Sequence, residues 1–160
     1  MRKFSDYWWV NQNQTYESEI KGYMWSPKLQ RNGARLEFYE NMTKVNVGDA
    51  VFSYAGSHIK AIGVVEATAV TRDQPKEFGD QWGKEGWFVK VNWHVLKNSF
   101  RPKYYIDELR AFLPKRYSPL TDTGDGKQVY LCHAGPSLGA ELLRIAVDNN
   151  PELLIELEDL

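Results

Sequence analysis

The stretch from Val47 to Val65 constrains the fold most. Val47-Gly48-Asp49 makes a tight turn, and Ala50-Val51-Phe52-Ser53-Tyr54-Ala55 follows as a mostly apolar strand. Gly56-Ser57 turns the chain, and Ile59-Lys60-Ala61-Ile62-Gly63-Val64-Val65 returns as a second apolar strand running on toward Thr68. Two such runs across a short turn predict a hairpin, and Gly63 within one of them allows either a bulge or a close backbone approach.

The other segments add to this sheet. Tyr7-Trp8-Trp9-Val10-Asn11 is aromatic and β-branched and predicts a first strand. It ends in the amides Asn11-Gln12-Asn13-Gln14, which suit turns and also donor–acceptor recognition of a base edge. Gly22 to Lys28 is too aromatic and too broken by Pro27 for an ordinary core strand. Gly33 to Val45 has helical spacing in Leu36, Tyr39 and Met42, with Asn32 as the expected N-cap. That would set Arg35 and a helix start beside the Trp25 stretch, where either a phosphate or a surface carboxylate could pair with the arginine. Val70 to Glu85 is expected to be one long polar loop holding Trp82, which either anchors the loop or closes over a ligand. From Phe88 onward the chain alternates, with Val89, Val91, Trp93 and Val95 on the expected core face and Trp87 at the strand mouth. A short helix over Tyr104 to Phe112, a last strand at Val129-Tyr130-Leu131 and a closing amphipathic helix over Ser137–Asn149 complete the order. The end, Glu152 to Leu160, is expected to be a helical tail or the start of a connection. The order predicts an α+β fold, a curved and mostly antiparallel sheet closed by helices, and one domain over residues 1–160.

Composition narrows the function. Aromatic residues make up 14% of the 160 residues and include six tryptophans, each of which either fills the core of a small β-rich domain or serves something beyond the core. A formal net charge of −1 argues against a domain that grips nucleic acid by phosphate neutralisation alone. The single cysteine, Cys132, and the scattered His58, His94 and His133 give no disulfide and no metal-ligand spacing, so neither metal nor cofactor is expected. No apolar run is long enough to span a membrane, and the N-terminus lacks a signal-peptide core, so a cytoplasmic protein is expected. There is no phosphate-binding glycine loop, no dinucleotide fingerprint, no nucleophile elbow and no deaminase signature, which leaves an enzyme without support. What remains is an aromatic pocket with polar edges. Trp25, Trp82 and Trp87 would form walls, with Ser26, Asn11 and Asn13 as hydrogen-bonding groups. Stacking a base on such walls contributes roughly 1–3 kcal/mol per contact. A buried methyl group adds about 0.8 kcal/mol. Extracting the base from a duplex costs a few kcal/mol, which backbone contacts must offset.

The strand Tyr7–Asn11, the pair Trp25-Ser26, the Asn32 to Met42 segment with Ala34-Arg35, the Gly48-Asp49 turn with its apolar strand, and Ala61-Ile62-Gly63-Val64-Val65 together resemble the EVE-like domains. These are relatives of YTH domains within the PUA superfamily of small β-barrels. The similarity covers about Lys3 to Leu131. It is greatest to the modules found at the N-terminus of modification-dependent restriction endonucleases, whose HNH-type nuclease lies in a separate part. The resemblance implies a phage-defence specificity module that binds double-stranded DNA and holds a flipped 5-methylcytosine or 5-hydroxymethylcytosine in an aromatic cage. The alternative is a reader of N6-methyladenine or of modified RNA. The implied cage is Trp25, Ser26, Trp82, Trp87, Asn11, Gln12, Asn13 and Tyr54, and the implied DNA-backbone contacts are Lys28, Arg31, Asn32 and Arg35.

Overall fold

The computed structural model describes residues 3–78 and 85–159. Seven strands form one mixed sheet: β1 (Tyr7–Asn11), β2 (Tyr23–Pro27), β3 (Ala50–Ala55), β4 (His58–Val65), β5 (Val70–Asp73), β6 (Glu85–Phe100) and β7 (Leu131–His133). Among the described residues five α-helices accompany them: α1 (Tyr16–Glu19), α2 (Glu37–Glu40), α3 (Ile106–Leu109), α4 (Gly135–Asn149) and α5 (Leu153–Glu156). The strand order is β2-β6-β4-β3-β1-β7, with β5 also on β6. β1 runs parallel to β3, and every other pair is antiparallel. The sheet is strongly curled into a half-barrel flanked by short helices, the α+β architecture expected from the order of segments.

The curl has a local cause in β6. Residues 85–90 of this strand pair with β2 and β5, whereas residues 91–100 pair with β4. One strand of 16 residues therefore carries two sets of neighbours and must bend between them. Opposite the bend, a Cβ on Gly63 would lie 2.4 Å from Val91 and 2.6 Å from Trp93, so the expected close approach is real. The β3–β4 hairpin turns on Gly56 and Ser57 at φ 57° and 65°, the left-handed pair that a two-residue hairpin needs.

Both faces of the sheet are covered. On the convex face Tyr7, Trp9, Ala50, Phe52, Ile62 and Val64 pack against Leu138, Leu142, Leu143, Ile145 and Ala146 of α4. A Cβ on Gly139 would come within 2.1 Å of the Tyr7 ring, so this glycine lets the helix lie directly on β1. On the concave face Trp8, Val10, Met24, Val51, Val89, Val91 and Leu131 meet Met42 and Val45. The tail is helical, and Leu153 and Leu157 are fully buried in the convex core.

Five expectations are corrected. The Trp25 stretch is a regular strand: Tyr23 to Pro27 pair in register with Lys90 to Gly86. Pro27 is tolerated because it ends a strand at the edge of the sheet order. The helix foreseen over Gly33 to Val45 starts only at Glu37. Gly33 takes φ 82°, and Asn32 Oδ1 accepts Ala34 N–H in a turn instead of capping a helix. The long loop contains β5, whose four residues are all exposed and so carry no alternation to detect. Val95 is 55% exposed because the core cluster on the face of Val89, Val91 and Trp93 stops short of it, while Leu96 is buried on the opposite face in the core beneath α4. The last strand is Leu131–His133 and starts two residues later than expected.

Candidate functional site

The end of β1, the turn into α1, the end of β2, the α2 region and the approach to β7 enclose a cavity of about 580 Å³. It is lined by the amides Asn11, Asn13, Gln14, Gln74 and Gln128 and by the aromatic residues Trp25, Tyr39, Phe78 and Tyr130. Thr15, Ser18 and Ser26 supply hydroxyls, and Glu77 is the charged residue among the described lining.

The β1 amides serve the turn and the cavity together. Asn11 Oδ1 accepts the backbone N–H of Asn13 at 3.0 Å, and Asn11 Nδ2 donates to the Lys127 carbonyl at 3.0 Å. Asn13 Oδ1 accepts the Gly56 N–H at 2.8 Å, which ties the site to the hairpin turn. Trp25 is held almost completely. Its Nε1 donates to the Arg72 carbonyl at 3.0 Å, Phe78 meets it edge-on at 5.7 Å, and a Cβ on Gly86 would fall 2.3 Å from its ring. At 3% exposure the indole offers the cavity a rim, and broader aromatic surface comes from Tyr39, Phe78 and Tyr130.

Beneath this lining lies a buried polar network. Glu19 is fully buried. Thr15 Oγ1 donates to its Oε2 at 2.5 Å, the Trp25 N–H donates to its Oε1 at 2.8 Å, and the Tyr130 hydroxyl donates to the same Oε1. Tyr130 Oη also accepts from the Trp25 N–H at 3.0 Å. Desolvation pushes the Glu19 carboxyl up to about 7, against the hydrogen bonds from Thr15, Tyr130 and Trp25 that favour its charge. Tyr130 is raised well above its ordinary value by its own burial and by Glu19. Next to Glu19, Gln12 is fully buried with its Oε1 accepting from Ser53 Oγ at 2.5 Å. Gln12 Nε2 has no hydrogen-bond partner, yet it lies close enough to Glu19 to favour the carboxylate.

Of the expected site residues, Asn11, Asn13, Trp25 and Ser26 come together at this cavity. Gln12 sits below it in the buried network, and Tyr54 packs on Trp9 in the convex core at 4.9 Å between ring centroids. Trp87 stands opposite Ser26 in the β2–β6 pair and carries Lys28 Nζ 4.2 Å above its ring. Trp82 lies outside the described residues. Lys28 also donates to Thr71 Oγ1 at 2.6 Å, while Arg31, Asn32 and Arg35 are exposed between β2 and α2. Sequence reasoning missed Glu19, Tyr39 and Tyr130. Tyr16-Glu17-Ser18-Glu19 has the look of a solvated turn, and only the burial of its neighbours distinguishes Glu19 from Glu17. Among the described residues no group of three or more His, Cys, Asp or Glu side chains could hold a metal ion, and no helix is long and apolar enough to cross a membrane. Cys132 is buried on β7, and burial raises its thiol to about 12.

No protein-family model matches the chain, and no curated protein matches it significantly. Solved structures share its fold. A crystal structure of a Pseudomonas putida protein superposes with a TM-score of 0.54 at 12% identity, covering 88% of this chain and 99% of that one. Protein PSPTO5229 of Pseudomonas syringae gives 0.53 at 13% identity over the same shares. The NMR structure of Rpa0253 from Rhodopseudomonas palustris gives 0.52 at 13% identity, covering 91% of this chain and 94% of that one. These neighbours are named without an activity, and at such identities the likeness is one of fold. The curled half-barrel is compatible with a PUA-like domain.

Proposed function

We propose that the chain is a recognition module of the EVE-like kind within the PUA superfamily, and that its cavity holds one modified base turned out of double-stranded DNA. The base is a 5-methylcytosine or 5-hydroxymethylcytosine, and the module binds it without performing chemistry on it. The observation that carries the reading is the division of charge around the cavity. The described lining has five amides, three hydroxyl side chains besides tyrosine, and aromatic rings, but no basic side chain. Lys28, Arg31 and Arg35 stand outside it, in the segment that follows β2. Such a cavity suits a neutral, planar, nitrogen-rich ring, with phosphates left at the basic rim. Its volume of about 580 Å³ falls within the roughly 300–1,000 Å³ typical of small-molecule sites.

The test is binding to short duplexes identical except at one position: cytosine, 5-methylcytosine, 5-hydroxymethylcytosine or N6-methyladenine, with ribose versions beside them. Tyr39→Ala from the lining and Trp82→Ala are measured in parallel. Tighter binding to one modified-cytosine duplex, lost in Tyr39→Ala, is expected. Equal affinity for every duplex, or none for any, rejects the reading, and a preference for the ribose forms redirects it to RNA.

A further inference from the structure

The cavity floor is wired to a carboxyl group that no ligand can touch. Glu19 is fully buried, and both of its oxygens are taken by donors from Thr15, Trp25 and Tyr130. Two of these donors are hydroxyls whose own residues line the cavity. A hydroxyl has one hydrogen and two lone pairs, so the carboxylate that takes the hydrogen decides what the hydroxyl shows on its other side. Thr15 Oγ1 gives its hydrogen to Glu19 and retains its lone pairs. Tyr130 Oη gives its hydrogen to Glu19 and spends one lone pair on the Trp25 N–H, which leaves one more. With Glu19 charged, both hydroxyls can therefore only accept.

We infer that Glu19 is a positioning residue that sets the hydrogen-bond polarity of the cavity: it draws the Thr15 and Tyr130 hydrogens downward, so that the wall receives a ligand through an N–H donor such as an exocyclic amino group. The inference rests on the proposed base-binding role of the cavity and deepens it by stating which edge of the base faces this wall. The described surroundings agree. The one charged side chain of the described lining is Glu77, again an acceptor, which holds the Tyr23 hydroxyl at 3.0 Å. Gln12 points the same way. It is a fully buried amide whose Nε2 has no hydrogen-bond partner and stands near Glu19, an arrangement that favours negative charge at this point.

When Glu19 takes up a proton it becomes a donor itself and releases one hydroxyl hydrogen to the cavity. The groups that act on this titration are the Thr15 hydroxyl at the head of α1, the Trp25 N–H of β2, the Tyr130 phenol before β7 and the Gln12 amide after β1. Tyr23 of β2 is linked electrostatically to the same carboxyl and carries Glu77 on its hydroxyl. No cation is among the groups that act on Glu19, and its burial sets the midpoint near about 7.

The experiment uses single-stranded oligonucleotides that differ in one base, 5-methylcytosine or thymine. The two rings match in size and carry an amino group or a carbonyl at the same position. For the full chain at pH 8, the amino-bearing strand is expected to bind roughly tenfold more tightly. The ratio should fall toward one as pH drops through about 7. In Glu19→Gln the pH dependence of the ratio disappears. Tyr130→Phe, which keeps the ring, reduces the preference without weakening thymine binding, and Thr15→Val is a second variant that leaves the carboxyl in place. A ratio of one at every pH, with both strands bound, overturns the inference and leaves the base-binding reading standing. A pH-dependent ratio that persists in Glu19→Gln also overturns it. Absence of binding to both strands and to the modified duplexes sinks the two together.

Discussion

The two faces of the sheet are built from the same strands and follow different rules. On β1, Tyr7 and Trp9 face the helices, while Trp8, Val10 and Gln12 face the concave side. On β3, Phe52 lies on the convex face and Val51 and Ser53 on the concave one. The convex face is sealed by α4 with aliphatic and aromatic side chains. The concave face mixes apolar residues with Glu19, Gln12, Ser53 and Asp49, the last accepting from Trp8 Nε1 at 2.9 Å. Buried polar groups are costly unless satisfied, and here they are gathered on the face that opens on the cavity. The convex face holds the fold together, and the concave face gives up some stability for a polar interior.

Three substitutions break or sharpen that contrast. The largest effect belongs to the sealed face. Leu142→Ala should cost about 2–5 kcal/mol in urea unfolding, by an amount that does not change between pH 5 and pH 8. On the concave face the loss should follow pH. Glu19 has its folded-state pKa raised from 4.5 to about 7, so the folded state binds the proton more tightly than the unfolded chain. Its contribution to stability is complete below about 4.5 and is lost as pH rises through about 7. The change in unfolding free energy between pH 4 and pH 8 should therefore differ by about 3 kcal/mol between the natural chain and Glu19→Gln, whose side chain does not titrate. Matching pH profiles for the two proteins would show that Glu19 is not held as described. The smallest effect is expected where the faces meet the site. Gly86→Ala pushes a methyl group into the Trp25 indole and should cost about 1–3 kcal/mol. It should also alter Trp25 fluorescence.

Much of the sheet was legible because its signals are local. The bounds of β1 and β3 follow from where the apolar runs stop, and the β3–β4 hairpin from its two turn residues. The features that escaped depend on partners distant in sequence. β5 is recognisable only by its pairing with β6, and Val95 continues the alternation of Val89, Val91 and Trp93 yet is exposed because the core of that face, built by distant segments, stops short of it. The site divides in the same way. Asn11, Asn13, Trp25 and Ser26 stand out by composition, whereas Tyr130 reaches Glu19 from 111 residues away. Nothing in the local pattern marks Glu19 as buried or Tyr130 as its partner.

The last strand to be made is paired with the first. β7 closes on β1 through Trp8↔His133, Trp9↔Cys132 and Val10↔Leu131, and Tyr130 of the same late segment supplies the cavity floor. During synthesis, then, β1 waits with one edge open while more than a hundred residues emerge, and its Trp8-Trp9-Val10 run is a natural partner for stray strands in that interval. Closing so long a loop is slow by topology. The cavity is thus completed only when this late segment closes on β1, and a chain interrupted before Tyr130 would retain the β3–β4 hairpin sequence but have no floor to its pocket.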